Sequence, residues 1–219
     1  AGSSLAYSLR FEKAWRKPGG VVDSNSRPTS FPLRWLAGPR ATICTLAVKH
    51  RRSMIDKATP FIKWAGGKRS IIDRLVAKLP AHFNTYWEPF VGGGALFFEL
   101  HSRLGSAVLS DINPELGVAY NVVKQAPDAL IAKLEEHTRK HSEDYYYRVR
   151  AQHELRDPID VAARFIYLNK ACFNGLYRVN KRGQFNAAYG YNPNPTIVSG
   201  QTILACSRAL KKATIQYRD

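Results

Sequence analysis

Acidic residues are scarce in this sequence: its 219 residues hold 17 Asp and Glu against 33 Lys and Arg, a formal charge of +16. An excess of that size says little about fold, but it makes a polyanion the first partner to consider. Cysteine is scarce too. Cys44, Cys172 and Cys206 are scattered, with no Cys-x-x-Cys pair. That argues against a disulfide framework and against a zinc or other metal cluster, and it fits a reducing, cytoplasmic setting. No run of about 18 apolar residues exists, so no segment is read as spanning a membrane. No internal repeat is visible either. What the chain does have is a hydrophobic content of 45%, enough for a packed core.

Residues 1–53 differ from the rest. They carry ten Lys and Arg against two acids, with scattered Ser, Pro and Gly and no sustained period. An Arg- and Ser-rich, acid-poor leader suits an organellar transit peptide. The alternative is upstream sequence ahead of Met54, the only methionine. Either way the leader is read as lying outside the fold. From Pro60 the pattern is regular. Ile71, Ile72, Leu75, Val76 and Leu79 recur at helical spacing up to Pro80. "TYWEPFVG" is strand-like, "GGALFFELHSRLG" helical, and "SAVLSDINP" a short strand ending in an acid. Strand, glycine loop, helix and strand is the order of a βαβ unit in a parallel sheet. Residues 115–165 read as mostly helical. "GLYRVNKRGQFNAAYG" then alternates around "NKRG", a hairpin with a type I turn and a glycine bulge at Gly183. A helix over 201–212 precedes a further strand in "ATIQYRD".

The glycine loop at 92–94 invites a phosphate reading, and two spellings fail. A Walker loop would need Gly at Ile62 and Ser or Thr at Arg69. A dinucleotide fingerprint would need a third glycine at Phe97, where a ring blocks close helix–strand packing. A third class places the same loop against the methionine end of S-adenosylmethionine, with an acid ending the second strand to hold the ribose hydroxyls. Here that acid is Asp111, although an Asp after a strand is also a common helix cap.

Four segments, "PFIKWAGGK" (60–68), "EPFVGGGA" (88–95), "LSDINPEL" (109–116) and "YLNKACFNGLYRVNKRGQFNAAYG" (167–190), together resemble the Dam-type (D12 class) adenine-N6-specific DNA methyltransferases. They occur in that family's order and spacing across 60–219. The resemblance implies an α/β fold, a Rossmann-like S-adenosylmethionine-dependent methyltransferase sheet with an inserted helical target-recognition region and β-hairpin. Residues 54–115 and 206–219 would form parts of the cofactor domain, and 116–205 the recognition region. The cofactor would be S-adenosylmethionine and the partner double-stranded DNA, met by a monomer of bacterial or phage origin, as in restriction-modification systems. Trp64, Lys68, Phe90, Gly92, Gly94 and Asp111 would bind the cofactor. An indole suits the apolar side of a sulfonium, and a lysine its carboxylate. Without the spelling around them, Trp64 reads first as a core aromatic and Lys68 as a solvated charge, and Glu88 as an acid that could tie down "KWAGGK" through its lysines. Lys63, Phe173, Asn174 and Arg178 match DNA-contacting positions. Arg178 would read a guanine, because its fork pairs with O6 and N7. Lys181 and Arg182 suit phosphate contacts.

Methylating a base amine in a duplex requires flipping the base. The family polarises adenine N6 with an Asp-Pro-Pro-Tyr tetrapeptide, which these 219 residues do not contain; Asp157-Pro158 is followed by Ile159 in a helical stretch. The resemblance therefore leads us to expect an incomplete chain, truncated before that tetrapeptide and inactive alone, with no catalytic residue assigned. The alternative is a non-catalytic DNA-binding remnant of a methyltransferase gene.

Overall fold

The computed structural model describes residues 57–197 and 199–217; the leader and Met54 lie outside the described residues. A three-stranded parallel sheet in the order β1-β2-β3 is built from β1 (Thr85–Glu88), β2 (Ser106–Asp111) and β3 (Ala213–Tyr217). The register pairs Thr85 with Ser106 and Ala107 with Ala213. The expected βαβ unit and the further strand are both present. Tyr86, Glu88, Ala107, Leu109 and Ala213 point to the buried side of the sheet. On the other side Trp87 is 65% exposed. A parallel sheet normally has both faces covered.

Seven α-helices belong to the described residues: α1 (Ile72–Val76), α2 (Ala95–Leu100), α3 (Pro114–Gln125), α4 (Pro127–Arg139), α5 (Glu143–Arg150), α6 (Pro158–Ala171) and α7 (Gly200–Leu210). Their starts follow from local chemistry. Asn113, Ser142, Asp157 and Ser199 each accept a backbone N–H of the first turn. Proline, whose missing donor costs nothing there, opens α3, α4 and α6. Asp157-Pro158 is thus a helix start, an N-cap followed by an N1 proline. Acids in the first turn of α5 and arginines in its last complement its dipole.

The core centres on α6, whose residues from Val161 to Asn169 are all buried. Helices α3, α4 and α5 pack around it, and α3 also lies against β2 and β3. Three tyrosines in this core are fully buried, and each hydroxyl finds a partner. Tyr120 donates to Gly92 O (3.0 Å), Tyr146 to Ala187 O (3.0 Å), and Tyr167 meets His141 Nδ1 at 2.9 Å. Arg164, buried inside α6, pairs with Glu115 Oε1 (2.9 Å) and donates to the carbonyls of Val149 and Arg150.

Two elements depart from the sequence reading. The helix expected through Leu79 runs only from Ile72 to Val76, after a 3-10 turn at Lys68–Ile71. None of its apolar residues is buried, so packing does not prolong a helix too short to stand alone. The expected hairpin closes as read, with Gly183 left-handed (φ 74°). Its pairing, however, is reduced to bridges at Val179–Phe185 and Cys172–Tyr189. Two strands without a third are marginal as a regular ladder. Helices α3 and α7 each run through one of the limits read between the cofactor and recognition regions, at 115/116 and 205/206.

Candidate cofactor cleft and nucleic-acid face

The chain leaving β1 turns sharply at the carboxyl end of the sheet. Gly92 and Gly94 both have positive φ (48° and 67°), a conformation that glycine adopts without strain. Space demands glycine as well. A Cβ on Gly92 would lie 2.5 Å from Cδ1 of the Trp64 indole, and one on Gly94 would collide with the Tyr120 hydroxyl. Asp111, at the end of β2, braces this loop. Its Oδ2 accepts the Gly92 N–H (3.0 Å) and its Oδ1 the Asn113 N–H (3.1 Å). A carboxylate has about four acceptor positions, so two stay available to donors of a ligand. The residue is both the loop's brace and a free acceptor.

A cleft of about 230 Å³ lies between these groups, lined by Trp64 to Lys68, Phe90 to Ala95 and Asp111. The six residues assigned to cofactor binding therefore converge. Phe90 is 78% exposed at its rim. Lys68 Nζ lies 3.9 Å from Glu88 Oε1, the tie that the sequence offered as one reading of Glu88. Glu88 is itself buried and accepts the Tyr86 hydroxyl at 3.0 Å. Burial raises its pKa, opposed by that hydrogen bond and by Lys68.

The "KWAGGK" segment is clamped from the other side as well. Asn169 on α6 accepts the Lys63 N–H and donates to the Lys63 carbonyl, both at 2.8 Å. Gly175 packs against the Lys63 side chain so closely that a Cβ there would overlap it. The Trp64 ring stacks on Tyr177 (5.3 Å, 28°), whose hydroxyl donates to Glu115 Oε2 at 3.2 Å. Burial and the nearby Glu115 push the Tyr177 phenol up to about 12. One short segment thus touches the glycine loop on one side and the start of the hairpin on the other. Asn169, Tyr177 and Glu115 were not picked out from sequence; their signal is tertiary, since Asn169 lies 106 residues from its partner Lys63.

The hairpin presents Arg178, Lys181 and Arg182 to solvent, and Phe173 is 54% exposed beside left-handed Asn174 (φ 55°). Arg178 is not free to swing. Its Nε donates to Asn186 Oδ1 (2.9 Å) and its Nη2 to Asn186 O (3.0 Å), so Asn186 orients the guanidinium. Lys170, at the end of α6, is half-buried, and its pKa is held down to about 8, first by burial and then by the nearby charges of Lys63 and Arg69. No ion pair joins these three cations to an acid among the described residues. The sequence carried a signal for this face that spacing did not reveal: between Asp160 and Asp219 there is no acidic residue.

A parallel sheet with a glycine loop after its first strand and an acid closing its second is the layout of a ligand-binding α/β domain, with the ligand beyond the strands' carboxyl ends. The chain belongs to the D12 class N6 adenine-specific DNA methyltransferase family, whose model matches residues 64–219. It is 40% identical over 162 residues to the type II methyltransferase M1.LlaDCHI of Lactococcus lactis subsp. cremoris, covering 72% of this chain and 56% of that protein. It is 40% identical over 181 residues to the type II methyltransferase M.MjaIII of Methanocaldococcus jannaschii, covering 73% and 62%. The DNA adenine methylase of Haemophilus influenzae is 38% identical over 138 residues, covering 61% and 48%. The chain spans about half to two thirds of the length of these relatives.

Proposed function

We propose that this chain forms the cofactor- and target-binding part of an enzyme that methylates adenine N6 in duplex DNA within a short palindrome, GATC. One observation supports this above the others: Trp64, Lys68, the glycine loop and Asp111 line one cleft, and the segment carrying Trp64 also touches the basic hairpin. The cradle suits S-adenosylmethionine. A loop without Cβ atoms lets backbone approach the methionine end, Asp111 has acceptor positions for ribose hydroxyls, and Lys68 can exchange Glu88 for a carboxylate. When bound, that cofactor supplies a methyl group on a sulfonium.

The protein's own contribution is orientation. Asp111 holds the loop and the ribose, Trp64 excludes water from one wall, and Arg178, held by Asn186, meets a guanine edge. Lys63, Phe173 and Asn174 lie against the duplex near the displaced adenine. Lys181 and Arg182 neutralise phosphates. The Asp-Pro-Pro-Tyr tetrapeptide does not occur among these 219 residues, so a polypeptide of these residues alone is expected to bind without transferring.

Calorimetry on the wild type and Asp111→Ala tests the cofactor. The variant should lose roughly 1–3 kcal/mol of S-adenosylmethionine affinity, the scale of hydrogen bonds to a charged acceptor. Unchanged affinity would remove Asp111 from the site. Incubating the chain with labelled cofactor and a GATC duplex tests transfer: label on N6 would mean that the catalytic groups are present after all.

A further inference from the structure

Tyr191 joins two features that seldom coincide. It is a bulky residue on a left-handed backbone, φ 54°, a strained conformation for a side chain of this size. It is also 73% exposed, so burial does not repay the strain. Its ring makes an edge contact with Tyr189 (5.8 Å, 64°) and is otherwise turned to solvent.

The residues on either side are held firmly. Tyr189 is buried, and its hydroxyl donates to Asn192 O at 3.0 Å. His141 Nε2 approaches the same carbonyl at 3.0 Å. The Gly190 N–H donates to Ala171 O (2.9 Å), and the Asn194 N–H to Asn192 Oδ1 (3.0 Å). Hydrogen bonds thus hold the backbone on both sides of position 191 while the phenol itself stays exposed. Tyr191 stands on the return arm of the hairpin, five residues beyond Asn186, which orients Arg178. Five extended residues span at most roughly 18 Å, about half of one turn of B-DNA. Arg178 and Tyr191 are therefore close enough for one duplex to span both, and the chain from 161 to 218 that carries them holds no acidic residue.

We infer that Tyr191 is a DNA-backbone contact: its ring packs on a deoxyribose and its hydroxyl donates to a phosphate oxygen, flanking the base pair met by Arg178. Contacts of this kind set register and carry no sequence information. The inference rests on the reading of the hairpin as a duplex-binding element.

Two variants test it by fluorescence anisotropy, using a GATC duplex and a scrambled duplex of equal length over a salt series. Tyr191→Phe keeps the ring contact with Tyr189 and removes the donor. Tyr191→Gly removes the ring and relieves the left-handed strain. Tyr191→Phe should lose roughly tenfold in affinity, about the loss of one hydrogen bond to a charged group, and Tyr191→Gly should lose more, because the ring contact goes too; each loss should be equal on both duplexes. The salt slope should not change, because a neutral hydroxyl releases no counterion. The melting midpoint of neither variant should fall below that of the wild type. Wild-type binding in either variant, while Arg178→Ala weakens the GATC complex, would overturn the contact and leave the reading of the hairpin standing. A weakened complex accompanied by a lowered midpoint in both variants would make Tyr191 a structural residue and overturn it too. A wild-type chain that binds neither duplex would overturn the duplex reading itself, and the contact with it.

Discussion

Single residues carry the strongest physical constraints here. Gly94 sits left-handed under the Tyr120 hydroxyl, so Gly94→Ala adds both strain and overlap and should cost about 1–3 kcal/mol of unfolding free energy in urea. Lys170 shows the opposite balance. Its pKa is about 8 when folded, against 10.5 when exposed. The cost of keeping it charged is thus fully present below pH 8 and disappears as pH rises through 10.5. Lys170→Met should raise stability at pH 7 by roughly 1–3 kcal/mol after allowance for solvent screening. It should also weaken DNA binding if that cation meets phosphate. Denaturation and anisotropy on one variant read both effects; a destabilised Lys170→Met would mean that the amine has a partner.

At the scale of elements, α6 ties the hairpin side to the sheet side. Arg164 on α6 reaches Glu115 on α3, and Glu115 in turn receives Tyr177 at the start of the hairpin. Removing one partner of a largely buried pair strands the other, so Glu115→Ala should lose on the order of 3 kcal/mol, seen as an earlier urea midpoint. His137 on α4 stacks on Tyr167 of α6 (4.8 Å) and meets the Tyr145 hydroxyl at 2.8 Å. Burial, outweighing Glu136, lowers its pKa to about 4 from 6.5. Between those values the unfolded chain binds the extra proton, so stability falls as pH drops from 6.5 towards 4. The loss should be roughly 2 kcal/mol, discounted for partial exposure. His137→Gln should flatten that part of the pH–stability profile.

At the scale of the whole molecule, charge and sheet coverage dominate. A chain at +16 should bind DNA with an affinity that falls steeply with salt. Lys181→Ala should weaken GATC and scrambled duplexes alike and reduce the log–log slope by about one unit. Arg178→Ala should instead cost about 1–3 kcal/mol on the cognate site and relax preference at one base pair. Equal losses on both duplexes for Arg178→Ala would reduce it to a phosphate contact. On the side of the sheet away from the core, Trp87 is exposed, apolar surface of a kind that a parallel sheet ordinarily covers.

Local chemistry was legible from the residues. The parallel β1–β2 unit follows from strand, glycine loop, helix and strand in that order, and the turn at Gly183 from its spelling. The convergence of Trp64, Lys68, the glycine loop and Asp111 on one cleft was legible because these residues lie in short contiguous motifs. Other features depend on distance in space between parts far apart in the chain. Periodicity alone made Ile71 to Leu79 a longer helix, and only packing decided where it stopped. Asp111 proved to be the brace of the glycine loop as well as an acceptor. Asn186 turned Arg178, and Tyr177 met Trp64, through contacts that no spacing rule encodes. A backbone's own preferences are written in consecutive residues, whereas burial and hydrogen-bond partners are assigned only when the folded chain brings remote groups within a few ångströms.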